Sequence, residues 1–295
     1  MRTILLLVAV ALELPTAYTQ TLPQKSEFEV ASVKPCTADS RGRGMGPAPG
    51  RLNTGCVTLH DLIQLAYGAF ANGPSFNARR LRVLGGPQWL ESDRYVIDAK
   101  AEGGVGIAQT AGPMLRALLE ERFKLKIHKE TRDMPIYALT VATSGLKMTP
   151  LKEDSCVAID LDHLPPPVPG QPTPNFCGRM MMTMKDEILI MEAHGTTMTN
   201  LAAGALSDRL DRPVIDKTGL TRMFDVHLEF TPSDAIPGFP GRGGPENPGA
   251  SPAPQFDAAG PSIFTALQQL GLKLSADHGP GEVLVIDFVE RPSTN

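Results

Sequence analysis

Two periodicities alternate along this chain, and they divide it into short strands and short helices. Glu27 to Val33 alternates apolar with polar residues and predicts a strand. Leu52 to Val57 predicts a second, short one. Thr58 then reads as an N-cap, and Leu59, Leu62, Ile63, Ala66 and Tyr67 share one helical face. Arg94 to Ala99 returns to strand spacing, with Tyr95, Ile97 and Ala99 on one side. Gly112-Pro113 predicts the start of a second helix, whose stripe is Met114, Leu115, Leu118, Leu119 and Phe123. Leu125-Lys126-Ile127 and Ile136 to Val141 read as the two arms of a hairpin turning at Thr131 to Pro135.

The same order then recurs. Glu187 to Met191 predicts a strand. Thr197-Met198-Thr199-Asn200-Leu201 repeats Thr58-Leu59-His60-Asp61-Leu62, with a helix running to about Leu210. Phe224 to Phe230 alternates as Arg94 to Ala99 does. Gly260-Pro261 opens a helix with Ile263, Ala266, Leu267 and Leu270 on its stripe. Leu272-Lys273-Leu274 and Val283 to Val289 stand where the arms of the first hairpin stood. The expected architecture is α+β: two duplicated units, each with two helices packed on small mixed or antiparallel sheets. The units span residues 20–150 and 179–295. A Pro-rich connection at 151–178, containing Leu164 to Pro174, has spacer composition. Residues 232–256 form a Pro/Gly-rich loop within the second unit, expected to be mobile.

The first nineteen residues change the picture of where the chain works. Arg2, the apolar run Ile4 to Leu12, and small Ala17 and Thr19 before Gln20 have the layout of a secretory signal peptide. The run is too short for a membrane span of about 20 residues. No later segment is apolar enough either. The expected location is periplasmic or extracellular. The four cysteines fit that compartment: an even count in an exported chain reads as two disulfides, and three connectivities are open. The expected pairs are Cys36–Cys56 and Cys156–Cys177, each closing a loop worth roughly 3 kcal/mol. A net charge of −4 leaves no basic excess for phosphates and excludes nucleic acid as the main partner.

Candidate chemistry adds little. Asp216-Lys217-Thr218-Gly219 matches four residues of the phosphorylated motif of cation pumps, but the remainder of that machine is absent. A strand followed by a glycine turn explains it. His227 and Glu229, and His128 and Glu130, each supply two ligands on a strand face, short of the three or four that a metal needs. His60, His163, His194 and His278 complete the histidines, and none forms a metalloprotease motif. No Gly-x-Ser-x-Gly elbow and no Walker loop occur. Met180-Met181-Met182-Thr183-Met184 reads as a strand filling an irregular core. If exposed instead, it would be a surface for an apolar partner. No catalytic residue, cofactor or metal site is assigned.

Several motifs carry a resemblance. Phe28 to Pro35, Gly86-Pro87-Gln88-Trp89-Leu90, Arg122 to Lys126, Val214 to Leu220 and Leu284 to Asp287 resemble, in order, those of the soil-associated family of exported bacterial proteins. That family has no established function, and some relatives are joined to membrane peptidases of the β-lactam-sensing kind. Thr221-Arg222-Met223 departs from the Thr-Gly-Arg turn of the pattern. Each half is also similar in topology to the short N-terminal domains of secretins and TonB-dependent receptors, which bind partner proteins. These resemblances imply a non-enzymatic binding or assembly module whose partner is an envelope protein or peptide, docked at a sheet edge. The alternatives are a cell-envelope hydrolase, marked by a His–carboxylate or carboxylate pair in a cleft between the units, and a peptide sensor for a membrane peptidase.

Overall fold

The computed structural model describes residues 27–37, 46–71, 81–161, 170, 174–231 and 260–292. The expected leader, most of the Pro-rich run and the 232–256 loop lie outside them. In chain order the strands are β1 (Val30–Pro35), β2 (Gly46–Ala48), β3 (Arg51–Asn53), β4 (Val57–Thr58), β5 (Arg82–Leu84), β6 (Arg94–Lys100), β7 (Lys126–Val141), β8 (Arg179–Lys185), β9 (Ile188–Thr197), β10 (Val214–Asp216), β11 (Met223–Phe230) and β12 (Leu272–Phe288). The helices are α1 (Leu59–Ile63), α2 (Trp89–Ser92), α3 (Ile107–Gln109), α4 (Leu115–Arg122), α5 (Met198–Asn200) and α6 (Ile263–Gln269). π-helical turns at Gln64–Ala69, Thr110–Met114 and Leu201–Leu206 prolong α1, join α3 to α4 and extend α5.

The class is α+β, and the largest departure from the sequence reading is at its centre. Neither expected hairpin forms. Leu125-Lys126-Ile127 and Ile136 to Val141 belong to one 16-residue strand, β7, and the corresponding pair in the second half belongs to the 17-residue β12. The two long strands run antiparallel from Leu272↔Val141 to Phe288↔Lys126. Pro135 does not break β7. Tyr137 sends its N–H away from β12 to the carbonyl of Pro213. Pro135 has the same parity, so its missing donor would point to the open side and no ladder bond is lost. Pro280, opposite Asp133, is placed the same way on β12.

Each half lends a short strand to the long strand of the other. β5 pairs in parallel with β12 at Val283–Val285, and β10 pairs in parallel with β7 at Tyr137–Leu139, giving the order β10-β7-β12-β5. An outer antiparallel sheet flanks each end: β1-β6-β3-β2 with β4 on β6, and β11-β9-β8. Between each outer sheet and the central sheet lies a helical core. The first core gathers Leu59, Leu62, Ile63, Leu115, Leu119 and Phe123 with Leu284 and Ile286 of β12. The second gathers Met198, Leu201, Leu206, Phe224 and Phe230 with Leu139 of β7 and Leu272 of β12. The long strands thus serve both cores.

Local chemistry sets the helix starts. Thr58 closes a capping box with Asp61, and Thr197 caps α5 by accepting from the Asn200 N–H. Gly112-Pro113 does not open a helix, contrary to expectation. The helix begins at Ile107, and Pro113 sits inside the π-helical turn, where the widened hydrogen-bond ladder tolerates its missing donor. Gly112 is required for contact: a Cβ there would lie 2.8 Å from the Phe70 carbonyl oxygen.

Candidate binding site on the outer face of the β11-β9-β8 sheet

Alternation puts Phe224, Val226, Leu228 and Phe230 of β11 into the second core, and Asp225, His227 and Glu229 on the opposite face. On β9, Leu189, Met191 and Ala193 point inward, leaving Glu192 and His194 outward. Register then aligns Met181, Glu192 and His227 in one cross-strand row and places Arg179 opposite His194. Together with Asn175 these side chains line a cavity of about 380 Å³.

A hydrogen-bonded chain runs along one wall. His194 Nδ1 lies 2.6 Å from Asp225 Oδ1, and its Nε2 lies 2.6 Å from Asn175 Nδ2. Asp225 also accepts from the Gly195 N–H at 3.0 Å, while the Asn175 amide donates to the Ser155 carbonyl at 3.2 Å. Both partners are therefore anchored to backbone. With Asn175 donating to Nε2, the Nδ1–H of the imidazole is directed at Asp225. Gly195 is held at φ +60, where a Cβ would lie 2.6 Å from Cys156 Sγ, so the Cys156–Cys177 disulfide packs against the residue that follows His194. The other disulfide joins Cys36 to Cys56, beside β4. In the next row, His227 stands between two carboxylates, with Nδ1 3.4 Å from Glu192 and Nε2 3.1 Å from Glu229.

This arrangement holds both histidines through both of their ring nitrogens. The acceptor nitrogen of His194 is occupied by Asn175, and both nitrogens of His227 face carboxylates. Among the described residues no hydroxyl or thiol side chain lines the cavity, and no cysteine is free. A face with Glu192, Asp225 and Glu229 against one guanidinium, Arg179, is suited to holding a cation.

A family model described as a protein of unknown function (DUF3738) matches residues 60–289, a span containing the whole of this face and both long strands. The chain belongs to the DUF3738 family. Among curated proteins and solved structures, nothing matches.

Elsewhere in this DUF3738 chain the residues singled out from sequence have structural employment. Asp216 accepts from the N–H and the hydroxyl of Thr218 and from the Thr199 hydroxyl, and Gly219 takes φ +72, so the Asp-Lys-Thr-Gly stretch is a turn built on β10. Lys217 reaches Asp277 at 2.8 Å. Its hydrogen bond, with that from the His278 N–H, holds the Asp277 carboxyl below the usual carboxylate range. His128 turns to Asp287 at 2.8 Å while Glu130 pairs with Arg132, so those two do not form a ligand pair. No group of three His, Cys, Asp or Glu among the described residues could hold a metal ion. Met180 and Met182 pack on the second core, whereas Met181 and Met184 are exposed. His163 lies outside the described residues. In the junction between the two helix layers, His60 faces Asp208 and Asp211 across a cleft, but no hydrogen bond or ion pair joins it to either. The cleft thus brings a histidine and two carboxylates to one lining, with no contact between the imidazole and either carboxylate. No helix among the described residues is long and apolar enough to cross a membrane.

His194, Asp225 and Asn175 were not legible as a set in the sequence. The available hint was the outward parity of Glu192 and His194 within an otherwise apolar strand.

Proposed function

We propose that this protein is an exported, non-enzymatic binding module that takes an extended segment of an envelope protein as an added strand along β8. The observation that carries this reading is the free edge of β8. It is seven residues long, pairs with β9 on one side, and makes no backbone hydrogen bond on the other among the described residues. Asp186 and Glu187, both at positive φ, form a two-residue turn, which pairs Lys185 with Ile188. Alternation then points the N–H groups of Met180, Met182 and Met184 outward, ready for an incoming strand. The cavity beside that edge suits a lysine or arginine side chain of the added segment. The disulfides and the leader-like N-terminus support export. The topological resemblance of each half to the short secretin and TonB-receptor domains supports a binding role from the sequence side, as does the parallel order of elements in the two halves.

The test uses Met184→Pro, which removes an outward donor and leaves the β9 ladder intact. An envelope protein captured by the oxidised wild type is lost from the variant at unchanged thermal midpoint, and its docking segment slows amide exchange at Met180, Met182 and Met184. Capture indifferent to Met184→Pro, or binding without that protection, overturns the reading.

A further inference from the structure

The two helix layers leave the middle of the central sheet uncovered. On β7, Thr131, Arg132, Asp133 and Pro135 are exposed there. A cleft of about 500 Å³ opens at that point, walled by His60 and Arg82 from the first half and by Leu210 and Arg212 from the second, with Met134 and Pro135 on its floor. We propose that this cleft binds an organic carboxylate with an apolar body.

Most polar groups around it are already engaged. The Gln64 amide spans Leu81, donating to its carbonyl at 2.5 Å and accepting from its N–H at 3.1 Å. The Ser207 hydroxyl donates to the Ala202 carbonyl and accepts from the Val214 N–H, each at 2.8 Å. Arg212 pairs with Asp211 at 3.2 Å and lies 5.4 Å from the centre of the Tyr137 ring. Asp208 also has a partner. Two groups remain uncommitted: Arg82 and His60 form no hydrogen bond or ion pair with any described residue. A guanidinium presents two parallel donors, the geometry that a carboxylate fills, and the His60 imidazole on the same lining offers another polar partner. The rest of the lining is apolar: Leu81, Val83, Met134, Leu210 and the rings of Pro135 and Pro213. The volume falls within the usual range of small-molecule sites, about 300–1,000 Å³. The charge at one wall and the apolar floor together select an amphipathic acid over a bare anion.

The experiment is a heteronuclear NMR titration of the oxidised chain with phenylbutyrate, with its primary amide and inorganic phosphate as comparison probes. Phenylbutyrate produces saturable shifts at the Arg82 guanidinium, the His60 imidazole and the Leu210 amide at millimolar concentration. The amide analogue and phosphate bind at least about tenfold more weakly. Arg82→Gln lowers the affinity by about tenfold, or ~1.4 kcal/mol, without moving the thermal midpoint, and His60→Gln lowers it by a smaller factor. Absence of saturable shifts at these residues overturns the proposal. So does an equal response to the amide, a stronger response to phosphate, or wild-type affinity in Arg82→Gln.

Discussion

Replacing Phe230 by alanine tests whether the two cores stand or fall together. Phe230 is fully buried at the end of β11 and belongs to the second core alone. Its removal leaves a cavity in a packed interior, which costs about 3–5 kcal/mol. In a chain of this size a kilocalorie moves the thermal midpoint by about 2–4 °C, so the midpoint drops by ~10 °C. The informative question is which parts of the molecule feel that drop. The single tryptophan, Trp89, starts α2 and packs on the first core, with Arg291 5.0 Å above its ring. Its fluorescence reports the far end of the molecule from the lesion. β7 and β12 run through both cores, so opening the second core frees Leu139, Leu272 and the register that holds Leu284 and Ile286 in the first. The expected result is one transition, with Trp89 fluorescence and far-ultraviolet circular dichroism shifted by the same amount. An early partial loss of dichroism with Trp89 melting at the wild-type temperature would refute the coupling, and the halves would then be independent domains.

Two local predictions follow from the first helical layer. Burial, aided by the neighbouring Glu120 carboxylate, raises the pKa of the Tyr67 hydroxyl well above that of a free phenol, so the folded protein holds a proton that the unfolded chain releases above pH ~10. Its contribution is complete below that pH and is lost as pH rises further. Tyr67→Phe reduces the alkaline slope of urea-derived stability by up to ~1.4 kcal/mol per pH unit, and equal slopes in the two proteins would contradict the assignment. Thr58→Ala opens the capping box with Asp61 and costs about 1 kcal/mol by urea unfolding, while Thr58→Ser restores most of it. A loss below a few tenths of a kilocalorie would mean that the cap does not hold α1.

The sequence was most legible where one face of an element meets a core. Tyr95, Ile97 and Ala99 on β6, and the four buried residues of β11, are adjacent in sequence and lie against a single core, so simple alternation found them. The stretch Thr131 to Pro135 misled for the opposite reason. Its polar residues and proline look like a turn because neither helix layer covers that part of β7, and the partner that keeps it extended arrives more than a hundred residues later. Periodicity registers burial, and here the chain is extended without being buried. β5 and β10, of three residues each, were invisible as parts of one sheet because each is completed by the other half of the chain. The His194 chain was hidden similarly: Asn175 and Asp225 reach it from 19 and 31 residues away, through a disulfide loop and a cross-strand neighbour.

The interlocked long strands also fix a timetable for synthesis. β7 is finished at Val141, but β12 begins only at Leu272, so about 130 residues must follow before the pairing can start. At ~5–20 residues per second the nascent chain spends on the order of ten seconds with a long strand that lacks its main partner. During that interval the first core lacks Leu284 and Ile286, and β5 has no neighbour. The waiting edge is a template for any other strand that reaches it first. Expressing the first half by itself would make that vulnerable interval permanent.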